Sequence, residues 1–186
     1  GRWRVTLKPL KASAKGEVLT IAGKNTIALT NVVGGEVWVC SGQSNMAWPV
    51  KQAMNAEEEV ARADTPGIRS FDVTRIVAAT PRAVCGGRWK VCTPESVKDF
   101  SAVGYFFARS LHEDLEVPVG IINTSWGGTL IEAWMPLDVL TSVPLDSARL
   151  MEITNQAAVL VKNEALQTGT PEEMERLGYK PVGNEF

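Results

Sequence analysis

The chain has 186 residues, 45% hydrophobic and 22% charged, enough to bury one core of ordinary size: one domain, or one and a fragment. Its 19 basic and 21 acidic residues leave a net charge of -2 and gather into no long run of one sign, which argues against a nucleic-acid partner. No stretch of about 18 apolar residues occurs, so no membrane partner is expected, and Gly1-Arg2-Trp3-Arg4-Val5 lacks the charged-then-apolar build of a signal peptide.

Trp3, Val5 and Leu7 alternate with Arg2, Arg4, Thr6 and Lys8, the pattern of a half-buried strand with no lead-in, so the chain is expected to begin mid-domain. Further short strands are expected at 18–21, before Gly23-Lys24-Asn25, and at 26–33, before Gly34-Gly35. Strands of this length and spacing point to the edge of a β-sandwich or a sheet add-on.

From Gly35 the texture changes. Glu36-Val37-Trp38-Val39-Cys40 is nearly continuous apolar sequence, the kind buried on both faces of a parallel sheet, and it runs directly into Ser41-Gly42-Gln43-Ser44-Asn45. Residues 51–63, rich in Ala and Glu, predict a helix that stops before Thr65-Pro66-Gly67. Strands are expected at 71–77 and 89–91.

Residues 100–115 form the clearest helix, with Phe100, Val103, Phe107 and Leu111 predicted to share its buried face. Val117-Pro118-Val119-Gly120-Ile121-Ile122-Asn123 then predicts a second buried strand, which breaks into Thr124-Ser125-Trp126-Gly127-Gly128. A helix followed by a buried strand is the second half of a βαβ unit, so a parallel sheet is expected. Residues 147–166 are helical in pattern. Residues 167–186 lose hydrophobic periodicity, carry Pro171, Pro181 and three glycines, and read as a linker or insertion.

Three cysteines leave an odd one whatever the pairing. Cys40, inside its apolar run, is expected to be a buried thiol. Cys85 and Cys92 could bridge a small loop around Gly86-Gly87 in an oxidising compartment.

In an open α/β sheet, ligands bind outside the carboxyl ends of the strands. Both apolar strands end in polar, glycine-containing loops, 41–45 and 123–128. If the strands are neighbours, a serine faces two adjacent glycines whose N–H groups can point at an anion, the layout of a nucleophile beside an oxyanion hole. Each piece taken alone reads as well as a turn: Ser44 as a capping residue, Gly127-Gly128 as a tight bend. Met46 stands where a Gly-x-Ser-x-Gly elbow would have its second glycine. No Gly-rich loop with Lys-Ser/Thr and no close Cys/His set occurs, so neither metal nor cofactor is expected.

Together the two segments resemble a known family. Val37-Trp38-Val39-Cys40-Ser41-Gly42-Gln43-Ser44-Asn45-Met46 is similar to the nucleophile block of sialate O-acetylesterases and related SGNH-type carbohydrate acetylesterases, and Ser125-Trp126-Gly127-Gly128-Thr129-Leu130-Ile131-Glu132-Ala133-Trp134 to their second block. The resemblance covers about residues 1–140. It implies an α/β fold, a three-layer α/β/α flavodoxin-like SGNH-hydrolase sheet, here incomplete, and a reaction that removes O-acetyl groups from sugars through an acyl-serine. Residues 1–33 would be the end of a β-rich domain, 34–166 the first part of the catalytic domain and 167–186 the linker. A secreted, periplasmic or lysosomal setting is implied in the same way.

Carried over by position, Ser44 matches the nucleophile, and its own N–H one oxyanion donor. Gly128 matches the second donor, with Gly127 the less favoured choice. Gln43, Asn45, Trp126 and Trp134 are candidate sugar contacts; Trp134 could equally fill the core, and Glu132 is read as structural. Trp48 and Pro49 either shape the pocket rim or merely pack. Asn45 is expected to hold its own loop by a side-chain to backbone bond.

Two features of the family are missing. Its enzymes activate serine with a histidine in an Asp-x-x-His segment near the end of the domain, and a block containing Gln-Gly-Glu completes the oxyanion hole; neither segment is present. The single histidine, His112, falls on the helix 100–115 and is not expected to be the base. The leading expectation is therefore a fragment of a serine O-acetylesterase whose partners are an acetylated sugar and a second polypeptide carrying the rest of the catalytic domain. The alternative is a non-catalytic carbohydrate-binding remnant.

Overall fold

The computed structural model describes residues 4–78, 81–142, 144, 146–149, 151–153, 155 and 159. Ser13–Ala22 forms β1 and pairs antiparallel with β2, Thr26–Gly34. The ladder slips between Glu17↔Val32 and Leu19↔Leu29, a β-bulge that holds Asn31 in left-handed backbone at φ 56°. Arg69 ties this hairpin to the main sheet, donating from one terminal nitrogen to Asn31 O at 2.6 Å and from the other to Asn31 Oδ1 at 2.9 Å. The strand expected at 3–7 does not form: residues 4–12 carry no regular structure. Alternation alone holds no strand without a neighbour to complete the ladder.

The main sheet has the order β3-β6-β4-β5, with β3 Glu36–Cys40, β4 Thr65–Asp72, β5 Trp89–Cys92 and β6 Val119–Asn123. β3, β6 and β4 run parallel, as expected, but β5 is antiparallel to β4. Among the described residues no helix forms between β4 and β5, and without a crossover element a returning strand pairs antiparallel. β4 also lies earlier than 71–77. Pro66 and Gly67, read as a helix-ending turn, sit in the irregular stretch between Thr65↔Cys92 and Arg69↔Val91, where a missing N–H is tolerated.

The helices are α1 Ser44–Ala47, α2 Ala56–Ala61, α3 Pro94–Val97 and α4 Ala102–Leu115. The helix expected at 51–63 is shortened to α2 and a 3-10 turn at Val50–Gln52, because Asn55 breaks between them with φ 56°. Ser101 caps α4, accepting from Gly104 N at 3.1 Å. The buried face of α4 is Ala102, Gly104, Tyr105 and Ala108, so the expected stripe is rotated: Val103 and Phe107 are exposed, and buried Phe100 precedes the helix. Small residues at 104 and 108 let the helix backbone approach β6, and Phe107 turns sideways to meet Trp38 edge-on at 5.2 Å.

The core between α4 and the sheet comprises Ile68, Val119, Ile121, Val97, Phe100 and Tyr105, closed by Val50 and Cys92. The other sheet face is only partly covered, by the β1–β2 hairpin that Arg69 holds against it. Val37 and Val39 of β3 are 58% and 66% exposed and Trp89 is 48% exposed, against the expectation of a strand buried on both sides. β3 is one of the two edge strands, with β6 its one neighbour, and no helix among the described residues covers that face. The fold is thus an incomplete α/β sheet with one helical layer in place.

Gly1–Thr74 with Gly86–Gly128 makes one compact unit, so the hairpin belongs with the main sheet. Arg75–Cys85 with Thr129–Phe186 makes the other. In the second unit Ile131–Trp134 is a 3-10 turn and Leu137–Ser142 forms α5; residues 147–149 and 151–153 are helical, and the rest of the expected helix at 147–166 lies largely outside the described residues, as does all of 167–186. All three cysteines are free, Cys40 and Cys92 buried and Cys85 exposed, so the Cys85–Cys92 bridge is not formed. Burial pushes the Cys92 thiol up to about 11, which makes it an inert core group. Among the described residues no helix is long and apolar enough to cross a membrane.

Candidate active site

β3 and β6 are register neighbours, and their last residues, Cys40 and Asn123, face each other. The loops that follow are therefore adjacent. Thr124 N donates to Cys40 O at 3.0 Å and Trp126 N to Gly42 O at 2.9 Å, so two main-chain bonds clamp the 124–128 loop against the 41–44 turn. Ser44 opens α1 and is exposed. Gly127 lies against it: a methyl built there would stand 3.2 Å from Ser44 Oγ and 3.4 Å from Ser44 Cα. Gly128 follows at φ 78°, in left-handed backbone, with open space where a side chain would be.

The turn carrying Ser44 is held from behind by the start of α4. Ser101 Oγ donates to Met46 O at 2.6 Å while also capping the helix, and Ala102 N donates to Trp48 O at 2.8 Å. Ser101 is 3% exposed, and its role was not read from the sequence; a serine just before a helical pattern signals a cap, but not its second partner. Trp48 Nε1 donates to Gln52 O at 2.9 Å, and Pro49 forms an isolated antiparallel bridge with Ser101 at the start of α4. Asn45 contributes its main-chain carbonyl, which accepts from Trp48 N at 3.4 Å, in place of the side-chain bond expected of it. Gln43 and Asn45 are exposed beside Ser44, and Trp126 is half-buried.

A second set of polar groups lines the same strand ends and was not assigned from the sequence. Asn123 Oδ1 accepts from Ser125 N at 3.1 Å and from Ser125 Oγ at 2.6 Å. Asn123 Nδ2 donates to Asp72 Oδ1 at 3.1 Å, and Lys90 Nζ donates to Asp72 Oδ2 at 3.1 Å. The signal was present as polar residues ending two strands, but their pairing depends on strand order.

His112 lies elsewhere. Its Nδ1 donates to Val117 O at 2.6 Å, and its ring sits over Gly67, at the amino ends of β6 and β4. The five residues of β6 separate that edge from the crevice, on the order of 13 Å at ~3.3 Å per residue. Trp134 and Glu132 belong to the second unit: Trp134 Nε1 donates to Thr129 Oγ1 at 2.8 Å, and Glu132 accepts from Arg149 at 2.9 and 3.3 Å, the structural role read for it. Among the described residues no group of three or more His, Cys, Asp or Glu is arranged to hold a metal ion.

Residues 34–160 match a family model described as carbohydrate esterase, sialic acid-specific acetylesterase. The chain belongs to this acetylesterase family. Within it, the chain is 37% identical over 145 residues to the human sialate O-acetylesterase and 31% identical over 175 residues to that of Mus musculus, covering 71% and 87% of this chain. It spans under a third of those relatives, 28% and 32% of their lengths. The crystal structure of a carbohydrate acetylesterase from Xanthomonas citri superposes with a TM-score of 0.65 at 41% identity, covering 67% of this chain and 29% of that one.

Proposed function

We propose that this chain carries the nucleophile and the oxyanion-binding backbone of a serine O-acetylesterase acting on sialic acid or other acetylated carbohydrates. The observation behind the reading is Ser44 beyond the carboxyl end of β3, lying against Gly127 on the loop that follows the neighbouring strand β6, with Gly128 the next residue. Ser44 Oγ attacks the acetyl carbonyl carbon as a base takes its proton. The carbonyl oxygen becomes an oxyanion and accepts hydrogen bonds from the N–H groups of Ser44 and Gly128, or of Gly127 in its place. Collapse returns a proton to the departing sugar hydroxyl and leaves acetyl-Ser44, which water hydrolyses to acetate. Gln43, Asn45 and Trp126 contact the sugar, and alanine at each raises KM. Neither metal nor cofactor enters these steps.

The single histidine stands at the wrong edge of the sheet, so the reading assigns the base to an Asp-x-x-His segment on polypeptide outside these 186 residues. The resemblance to sialate O-acetylesterases extends the reading to a secreted, periplasmic or lysosomal setting, which fractionation of the source cells checks. A fluorophosphonate probe tests the chemistry. It should label Ser44 in the assembled enzyme and leave Ser44→Ala unlabelled. An assembled, folded protein that binds acetylated sugar while Ser44 stays unlabelled would favour a carbohydrate-binding role instead.

A further inference from the structure

We propose that Asp72 is a positioning residue for the oxyanion loop, acting through Asn123 and Ser125. The inference rests on the esterase reading and adds to it a residue outside both sequence blocks. Asp72 ends β4 as Asn123 ends β6, and the two are register partners, so their side chains meet at the carboxyl edge of the sheet. An ionised carboxylate only accepts hydrogen bonds, so Asp72 Oδ1 requires the NH2 end of the Asn123 amide, which it meets at 3.1 Å. That choice turns Asn123 Oδ1 towards Ser125, where it accepts two bonds, at 3.1 Å from N and 2.6 Å from Oγ. Flipped, the amide would set two donors against each other at Ser125 and two acceptors against each other at Asp72.

Ser125 is 4% exposed, and the bond its hydroxyl makes to Asn123 Oδ1 offsets the cost of burying it. The next residue, Trp126, donates its N–H to Gly42 O, and the one after is Gly127 against Ser44. The carboxylate thus fixes an amide, the amide fixes the loop, and the loop sets the glycine N–H groups relative to the nucleophile. Lys90, at 3.1 Å from Oδ2 and about one-third exposed, holds the carboxylate from its solvent side.

The test uses the complete enzyme that contains these residues and its base. Misplacing an oxyanion donor by about 1 Å costs on the order of a hundredfold in rate, so Asp72→Ala should lower kcat by roughly ten- to a hundredfold while KM moves less than about threefold. Asp72→Asn keeps an acceptor for Asn123 and should recover most of that loss, with Lys90 swinging into solvent. Ser125→Ala, which leaves Asp72, Asn123 and Lys90 bonded, should show the same split of kcat from KM even where Asp72→Ala does not fold. The double variant should be no worse than the poorer single. Wild-type kcat in folded Asp72→Ala, equal loss in Asp72→Asn and Asp72→Ala, or wild-type kcat in Ser125→Ala each overturns the proposal. Retention of activity by Ser44→Ala would instead overturn the esterase reading itself.

Discussion

Ser44 lies so close to Gly127 that a single methyl at 127 would stand 3.2 Å from its hydroxyl oxygen. Relief comes from turning Ser44 about its first side-chain torsion, away from the line of attack. Gly127→Ala is expected to lower kcat/KM of the assembled enzyme by roughly ten- to a hundredfold, with little change in melting temperature. Gly128→Ala should behave differently. Nothing lies within 4 Å of the added methyl, but φ 78° strains any other residue, and denaturant titration should show a loss of about 1 kcal/mol. Equal effects of the two variants on rate and stability would contradict this geometry.

The isolated chain should not hydrolyse 4-nitrophenyl acetate above a Ser44→Ala control. Adding polypeptide that bears the Asp-x-x-His segment should restore a Ser44-dependent rate. His112→Ala should leave that rate nearly unchanged while costing about 1 kcal/mol of stability through its lost bond to Val117 O. Robust turnover by the chain alone, abolished by His112→Ala, would move the base back onto α4.

Val37, Val39 and Trp89 leave an apolar sheet face partly open beside an edge strand, and both features promote association. Sedimentation velocity on the isolated chain should therefore show self-association, reduced by Val39→Lys. A monodisperse monomer of the unmodified chain at micromolar concentration contradicts this.

Glu59 is 6% exposed and accepts from Arg62, Arg109 and, at 3.0 Å, from Tyr105 Oη. Burial works to raise its pKa, but the three hydrogen bonds and the Arg109 charge outweigh it and hold the carboxyl below the ordinary 4.5. A carboxyl lowered on folding contributes stability that is full above its unfolded value and is lost as pH falls through the folded one. Thermal melts should show wild-type stability falling more steeply than that of Glu59→Gln as pH drops below about 4.5. Parallel curves would mean that the cluster does not couple to protonation.

Much of the scaffold was readable because it rests on local signals. The apolar runs at 36–40 and 117–123 became β3 and β6, and the helix expected at 100–115 became α4, Ala102–Leu115. Where the reading slipped, a non-local partner decided. Residues 4–12 alternate but lack a neighbouring strand, and Pro66 looks like a stop but lies in a bulged stretch of β4. On α4, Val103 and Phe107 are the larger apolar residues, yet Gly104 and Ala108 take the buried side, since close approach to the sheet favours small side chains.

The sequence by itself determined that a serine turn and a two-glycine loop each follow an apolar strand, because strand propensity and loop chemistry are written in neighbouring residues. Only the tertiary structure decided that these loops touch. The order β3-β6-β4 sets Cys40, Asn123 and Asp72 in one row, bringing together residues up to 83 positions apart (123 − 40). It also set His112 at the opposite edge, because α4 runs back along the sheet before β6 begins, so its last turn ends beside Val117 and Gly67.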